Sequence, residues 1–146
     1  MAFNTLKGEF IPLNRSKYVG KFPITYRSSW ELTIMKYFDQ NPDVVSWASE
    51  SLQIPYPHPL RKGEYTVYIP DFIVTFRDAK GNLRCEMIEV KPLKEVPGMA
   101  TGKHKSARMD QLKQIVNKAK WHAARSFCTK RNIYFRVITE ETILRM

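Results

Sequence analysis

Residues 88–92 read IEVKP, and within them an acid and a base stand two positions apart in a run that is otherwise apolar. Side chains alternate faces along a β-strand, so Glu89 and Lys91 share one face while Ile88 and Val90 share the other. A second carboxylate, Asp71, follows Pro70 upstream, and between the two lies DAKGN, whose Gly81 suits the left-handed position of a short hairpin turn. A hairpin centred near Lys80 pairs residues whose numbers sum to about 160, which sets Asp71 across from Glu89. Carboxylates facing each other on neighbouring strands repel unless a cation lies between them. Mg2+, with Mn2+ as a substitute, suits a site of few carboxylates that leaves room for water and phosphate oxygens. Lys91, one pleat beyond Glu89, would orient an attacking water or stabilise charge developing on a phosphate. The chemistry expected of such a set is metal-assisted phosphodiester hydrolysis, and Glu31, on an upstream helix, could complete it.

Several elements must hold these residues. SSWELTIMKYFDQNP carries Trp30, Ile34, Tyr37 and Phe38 at helical spacing, with Pro42 beyond its end and a possible cap at Ser28, three residues before Glu31. VVSWASESLQIPYP reads as a strand followed by an extended proline-containing stretch. The two runs flanking DAKGN read as the arms of the hairpin, and Pro92 ends the second. After a loop with Lys94, Lys103 and Lys105, a helix of about twenty residues is expected, with Met109, Leu112, Val116, Ala119, Ala123 and Phe127 as its apolar stripe. NIYFRVI forms a last strand. Helix, strand, hairpin, helix, strand implies an α/β fold, a mixed β-sheet flanked by helices. The expected organisation is one domain over 1–146, with a basic arm over 1–27 and a core over 28–146.

The 146 residues suffice for a sizeable core, and 43% of them are hydrophobic, which argues against a disordered chain. Two cysteines, Cys85 and Cys128, are too few for a disulfide framework or a zinc site, so a reducing cytoplasm is the expected compartment. The net charge of +10 is unevenly placed: between Lys91 and Arg136 twelve Lys and Arg stand against Glu95 and Asp110 alone, and the rest of the chain is neutral. An excess confined to one segment marks a phosphate-facing surface. Lys94, Lys103, Lys105, Arg108 and Lys113 are the candidates for DNA contact. An RNA-binding domain would be expected to carry aromatic sheet motifs, which this chain lacks.

PDF at 70–72 with EVK at 89–91 resembles the PD-(D/E)xK nuclease superfamily, whose core is restriction-endonuclease-like. Within it, YRSSWEL, LQIPY, YIPDFIV, IEVKP and FRVITEE are similar to the TnsA-type endonuclease domain over most of residues 26–141. The spacing is closer still to the nucleases that complete the heads of T-even bacteriophages. That resemblance implies a metal-dependent DNA endonuclease processing the packaged DNA end before the tail joins. It places Asp71, Glu89 and Val90 at the metal, Lys91 as the catalytic lysine and Glu31 as the helix-borne acid. Glu89 stands where TnsA-type domains often carry Gln. The partners implied are DNA and the portal, neck or other head completion proteins, with the virion head or neck as a further location. The rival expectation from another class is a neck adaptor that holds a DNA end without cutting it; it would need the basic segment but not the acids.

Overall fold

A computed structural model describes residues 6–96 and 105–146, without the side chains of 105–107 and 110. The centre is a four-stranded sheet in the order β3 (Val44–Ser49), β6 (Phe72–Arg77), β7 (Leu83–Val90), β8 (Tyr134–Ile138). The β3–β6 and β6–β7 pairs are antiparallel, and β7–β8 is parallel. This is the mixed sheet expected. Between β7 and β8 runs α2 (Lys105–Thr129), as a parallel pair requires a crossover.

Strand alternation divides the core between the two faces. Ile88, Val90, Val74 and Ile138 pack with Trp30, Ile34 and Phe38 of α1 (Ser29–Gln40) and Ile143 of α3 (Glu140–Ile143). On the other side Met87 packs with Trp121, Ala124 and Cys128 of α2. The core face of α2 overlaps the expected stripe in part: Ala119, Ala123 and Phe127 pack against this core, Met109 and Leu112 are exposed, and the buried line runs Asn117, Trp121, Ala124, Cys128. Apolar residues surround much of this helix, and its seat on the sheet buries the polar Asn117 and the small Ala124 beside the large Trp121. The helix is also longer than expected, at 25 residues. Tyr37 of α1 likewise stands 42% exposed, one position off the buried Ile34–Phe38 line.

The run expected as the first hairpin arm breaks at Ile69–Pro70. Pro70 has no N–H for a ladder. Residues before it form β5 (Tyr65–Tyr68), which pairs with β4 (Ile54–Pro57) in a separate two-stranded sheet packed against α2; residues after it form β6. The stretch expected as an arm over 1–27 belongs, from residue 8, to the packed body. There β1 (Gly8–Phe10) pairs with β2 (Ile24–Tyr26), and Phe10, Tyr18 and Ile24 are buried. Asp39, 1% exposed, anchors this stretch by accepting the N–H groups of Leu13 at 2.8 Å and Asn14 at 2.9 Å. Tyr18 meets Trp47 edge to face with ring centroids 4.7 Å apart. Among the described residues, no helix is long and apolar enough to cross a membrane.

Candidate active site

The turn between β6 and β7 sets the register. Asp78 Oδ1 accepts the N–H groups of Lys80 and Asn82, and Gly81 takes φ 81°, where a side chain would be strained. Phe72 then pairs with Ile88, and every pair of the ladder down to Arg77–Leu83 keeps the same numerical sum. Asp71, one residue ahead of β6, thus arrives beside Glu89. With β6 finished, the Val90 N–H has no ladder carbonyl to meet, and Asp71 Oδ2 accepts it at 2.7 Å. Val90 reaches the site through its main chain; its side chain is buried in the α1-side core.

Glu89 is 4% exposed, and a polar group so buried needs partners. Tyr68 at the end of β5 donates its phenol hydrogen to Glu89 Oε1 at 2.8 Å, and Lys91 Nζ lies 3.6 Å from Oε2. Burial and Glu89 hold the Tyr68 phenol far above its usual range, so it remains a donor. Burial pushes the Asp71 carboxyl well above the ordinary carboxylate range and Glu89 pushes it further, while the Val90 N–H opposes both. Glu31, in the first turn of α1, also raises it.

Glu31 has the local role its spacing suggests and a second one besides. Ser28 Oγ accepts the Glu31 N–H at 3.1 Å, capping α1, and Glu31 Oε1 accepts the N–H of Arg27 at 3.2 Å. The reciprocal bond of a full capping box is thus shifted from Ser28 to Arg27. Burial raises the Glu31 carboxyl, the Arg27 N–H opposes the rise, and Glu50 and Glu89 add to it. Glu50 is held by Arg27 at 2.8 Å, and its own N–H donates to the Asp71 carbonyl at 3.0 Å.

The loop after Lys91 is tied to α2. Asn117, 3% exposed, donates to the Glu95 carbonyl at 3.1 Å, and Gln114 donates to that of Lys94 at 3.1 Å. One turn on from Asn117, Lys120 stands 5.9 Å over the Tyr68 ring. Burial lowers its ammonium and Lys91 lowers it further, while Glu89, Asp71 and Glu95 raise it. Of the expected DNA contacts, Lys94, Arg108 and Lys113 are exposed, and Lys113 lies 3.9 Å from Glu95. Lys105 is in α2 with its side chain outside the described residues, as is the whole of Lys103.

Tyr68, Glu50 and Lys120 are not singled out by the residue pattern. Tyr68 belongs to a separate hairpin that folds over the sheet, and its one local signal is a hydroxyl-bearing aromatic just ahead of Pro70–Asp71. Lys120 is one of several lysines of α2, separated from the others only by the helix's seat.

Among the described residues, no group of three or more His, Cys, Asp or Glu side chains is close enough to hold a metal ion by itself. Asp71 and Glu89 would be the side-chain donors to such an ion, with Glu31 standing off. That fits Mg2+, which takes one or two carboxylates and fills its remaining positions from water and phosphate. Burial first and Glu89 second raise the Asp71 carboxyl, and a bound cation would favour its ionised form.

The chain is similar to known proteins over most of its length. The chain is 37% identical to the head completion nuclease of Enterobacteria phage T4, an alignment covering 92% of this chain and 91% of that protein. Residues 41–140, which include Asp71, Glu89 and Lys91, match the TnsA-like endonuclease N-terminal domain. The protein is a member of the TnsA-like endonuclease family, a branch of the PD-(D/E)xK nucleases.

Proposed function

We propose that the protein is a Mg2+-dependent DNA endonuclease, with Mn2+ as a substitute ion, that processes DNA during completion of a phage head. The observation that carries the chemistry is the locked pair of carboxylates beside Lys91. Asp71 and Glu89 would hold the ion, with the Val90 carbonyl as a main-chain donor. A divalent cation, when bound, lowers the pKa of water and neutralises charge on a phosphate.

The chain's own residues do the rest. Tyr68 fixes one oxygen of Glu89, which leaves Oε2 directed at Lys91. Lys91, half-buried, keeps a cation beside the reacting phosphate, orienting the water and stabilising the negative charge of the transition state. Glu31 positions water from the α1 side. Lys94, Lys103, Lys105, Arg108 and Lys113, which follow β7 in the sequence, hold the DNA backbone. Hydrolysis in this way requires no covalent bond between protein and DNA.

Head completion rests on the T4 relative, whose name states that role. Portal, neck or other head completion proteins are then the partners, and the host cytoplasm and the virion head or neck the places of action. The test is cleavage of linear, branched and single-stranded DNA with Mg2+, with Mn2+ and with EDTA, alongside Asp71→Ala and Glu89→Gln. Cutting that needs the ion and both carboxylates is expected. DNA left uncut with Mg2+, or cut equally well by both variants, would overturn the reading; binding without cutting would point to an adaptor.

A further inference from the structure

A groove of about 440 Å3 opens beside Lys91, lined by Lys91, Lys113 and Lys120 and by Leu60, Leu112 and Val116. Leu60 comes from the loop joining β4 to β5 and the others, apart from Lys91, from α2. Within it Lys113 stands 3.9 Å from Glu95 and Lys91 3.6 Å from Glu89, which leaves Lys120 as the excess positive charge, and that excess suits phosphate. The groove borders the carboxylate pair through Lys91, and Lys120 stands over the Tyr68 ring.

A grip on the phosphate backbone accounts for the lysines and leaves the apolar wall unexplained. Leu60 is 50% exposed, Leu112 40% and Met109, also in the lining, 59%. Exposed apolar side chains gathered along and beside a strongly basic helix suit a contact surface. In duplex DNA the flat faces of the bases are stacked away, and a protein meets only their edges. An unpaired nucleotide presents an apolar face and a phosphate together, the two chemistries this groove offers. Its volume lies within the range of roughly 300–1,000 Å3 common for small-ligand pockets.

We propose that this groove is a subsite for an unpaired nucleotide of the DNA strand, its phosphate held by Lys113 and Lys120 and its base laid against Leu60, Leu112 and Val116. The inference rests on the nuclease reading and gives it a substrate class: duplex DNA carrying an unpaired end or gap.

The test uses the full chain and two duplexes of equal length, one blunt and one with a short unpaired tail containing 2-aminopurine. Binding is read in EDTA, independently of cutting, and cleavage is read separately with Mg2+. The wild type should prefer the tailed duplex, and the tail fluorescence should brighten as its bases leave their stack. In Leu60→Ser/Leu112→Ser, a change at two exposed positions, the ratio of tailed to blunt affinity should fall about tenfold. Equal affinity for both duplexes in the wild type, or an unchanged ratio in the variant, would overturn the subsite. Tail preference in EDTA with no cutting under Mg2+ would instead keep the subsite and remove the nuclease reading; cutting without tail preference would do the reverse.

Discussion

Replacing Asp71 by Asn should make the metal-free protein more stable while abolishing its activity. The carboxyl of Asp71 is raised above its reference value of 3.8 first by burial and then by Glu89. A raised carboxylate ionises at lower pH in the unfolded chain than in the folded one. Its contribution to stability is therefore intact below about pH 3.8 and declines as pH rises through the folded-state value. Asn carries no charge to penalise and still offers an oxygen to the Val90 N–H, now 2.7 Å from Asp71 Oδ2. Relief of a like-charge pair on adjacent strands is worth about 1 kcal/mol, or about 3 °C in Tm for a domain of this size. Thermal melts in EDTA at neutral pH should show the Asp71→Asn variant melting above wild type, with the gap closing near pH 4. Saturating Mg2+ should invert the order, since an ion at a hundredfold excess over its Kd stabilises by about 2.7 kcal/mol and the variant has lost a ligand. Cleavage should fall by at least about a hundredfold, the scale of removing a group that stabilises transition-state charge. A variant that melts below wild type in EDTA at neutral pH, or a wild type that Mg2+ leaves unmoved, would refute the reasoning.

Tyr68→Phe removes the donor to Glu89 at small cost in shape. Stability should drop by about 1.5 kcal/mol and cleavage by about 10- to 100-fold, the range for residues that orient a metal ligand, read by melts and initial rates. Glu31→Gln keeps an acceptor for the Arg27 N–H and the Ser28 cap, so melts should be unchanged within about 0.5 kcal/mol while cleavage falls; unchanged cleavage would confine Glu31 to capping. Arg108→Ala should weaken binding to all DNA sequences alike and lower the slope of log affinity against log salt by about one, measured by titration at several ionic strengths.

How far the site is legible in the sequence follows from the distances over which its contacts form. Asp71 and Glu89 meet because of a turn that Asp78, Gly81 and Asn82 specify locally, and counting outward from it reaches the observed ladder. The first turn of α1 is equally local, so Ser28 and Glu31 are found where the spacing puts them. Lys120 and Tyr68 depend on how α2 and the β4–β5 hairpin lie on the sheet. That seating is decided by Asn117, whose amide is tied to the Glu95 carbonyl, and by Trp121, Ala124 and Cys128. Periodicity passes over the polar Asn117 and sets the expected stripe about one position off the Asn117–Cys128 line, which is why its first members, Met109 and Leu112, are exposed. The break at Pro70 is visible as a residue but not as a change of sheet, because only the pairing of Tyr68 with Ile54 reveals where the strand before it goes.

The hydrogen bond from Val90 to Asp71 makes one amide proton a gauge of the site. Where a strand neighbour would ordinarily supply a carbonyl, this N–H is satisfied by a titrating carboxylate. Its chemical shift and its exchange with solvent must therefore follow the charge on Asp71, whether that charge changes by protonation or by the arrival of a cation. A single main-chain signal, needing no substrate and no turnover, reads the state in which the protein is ready to cut.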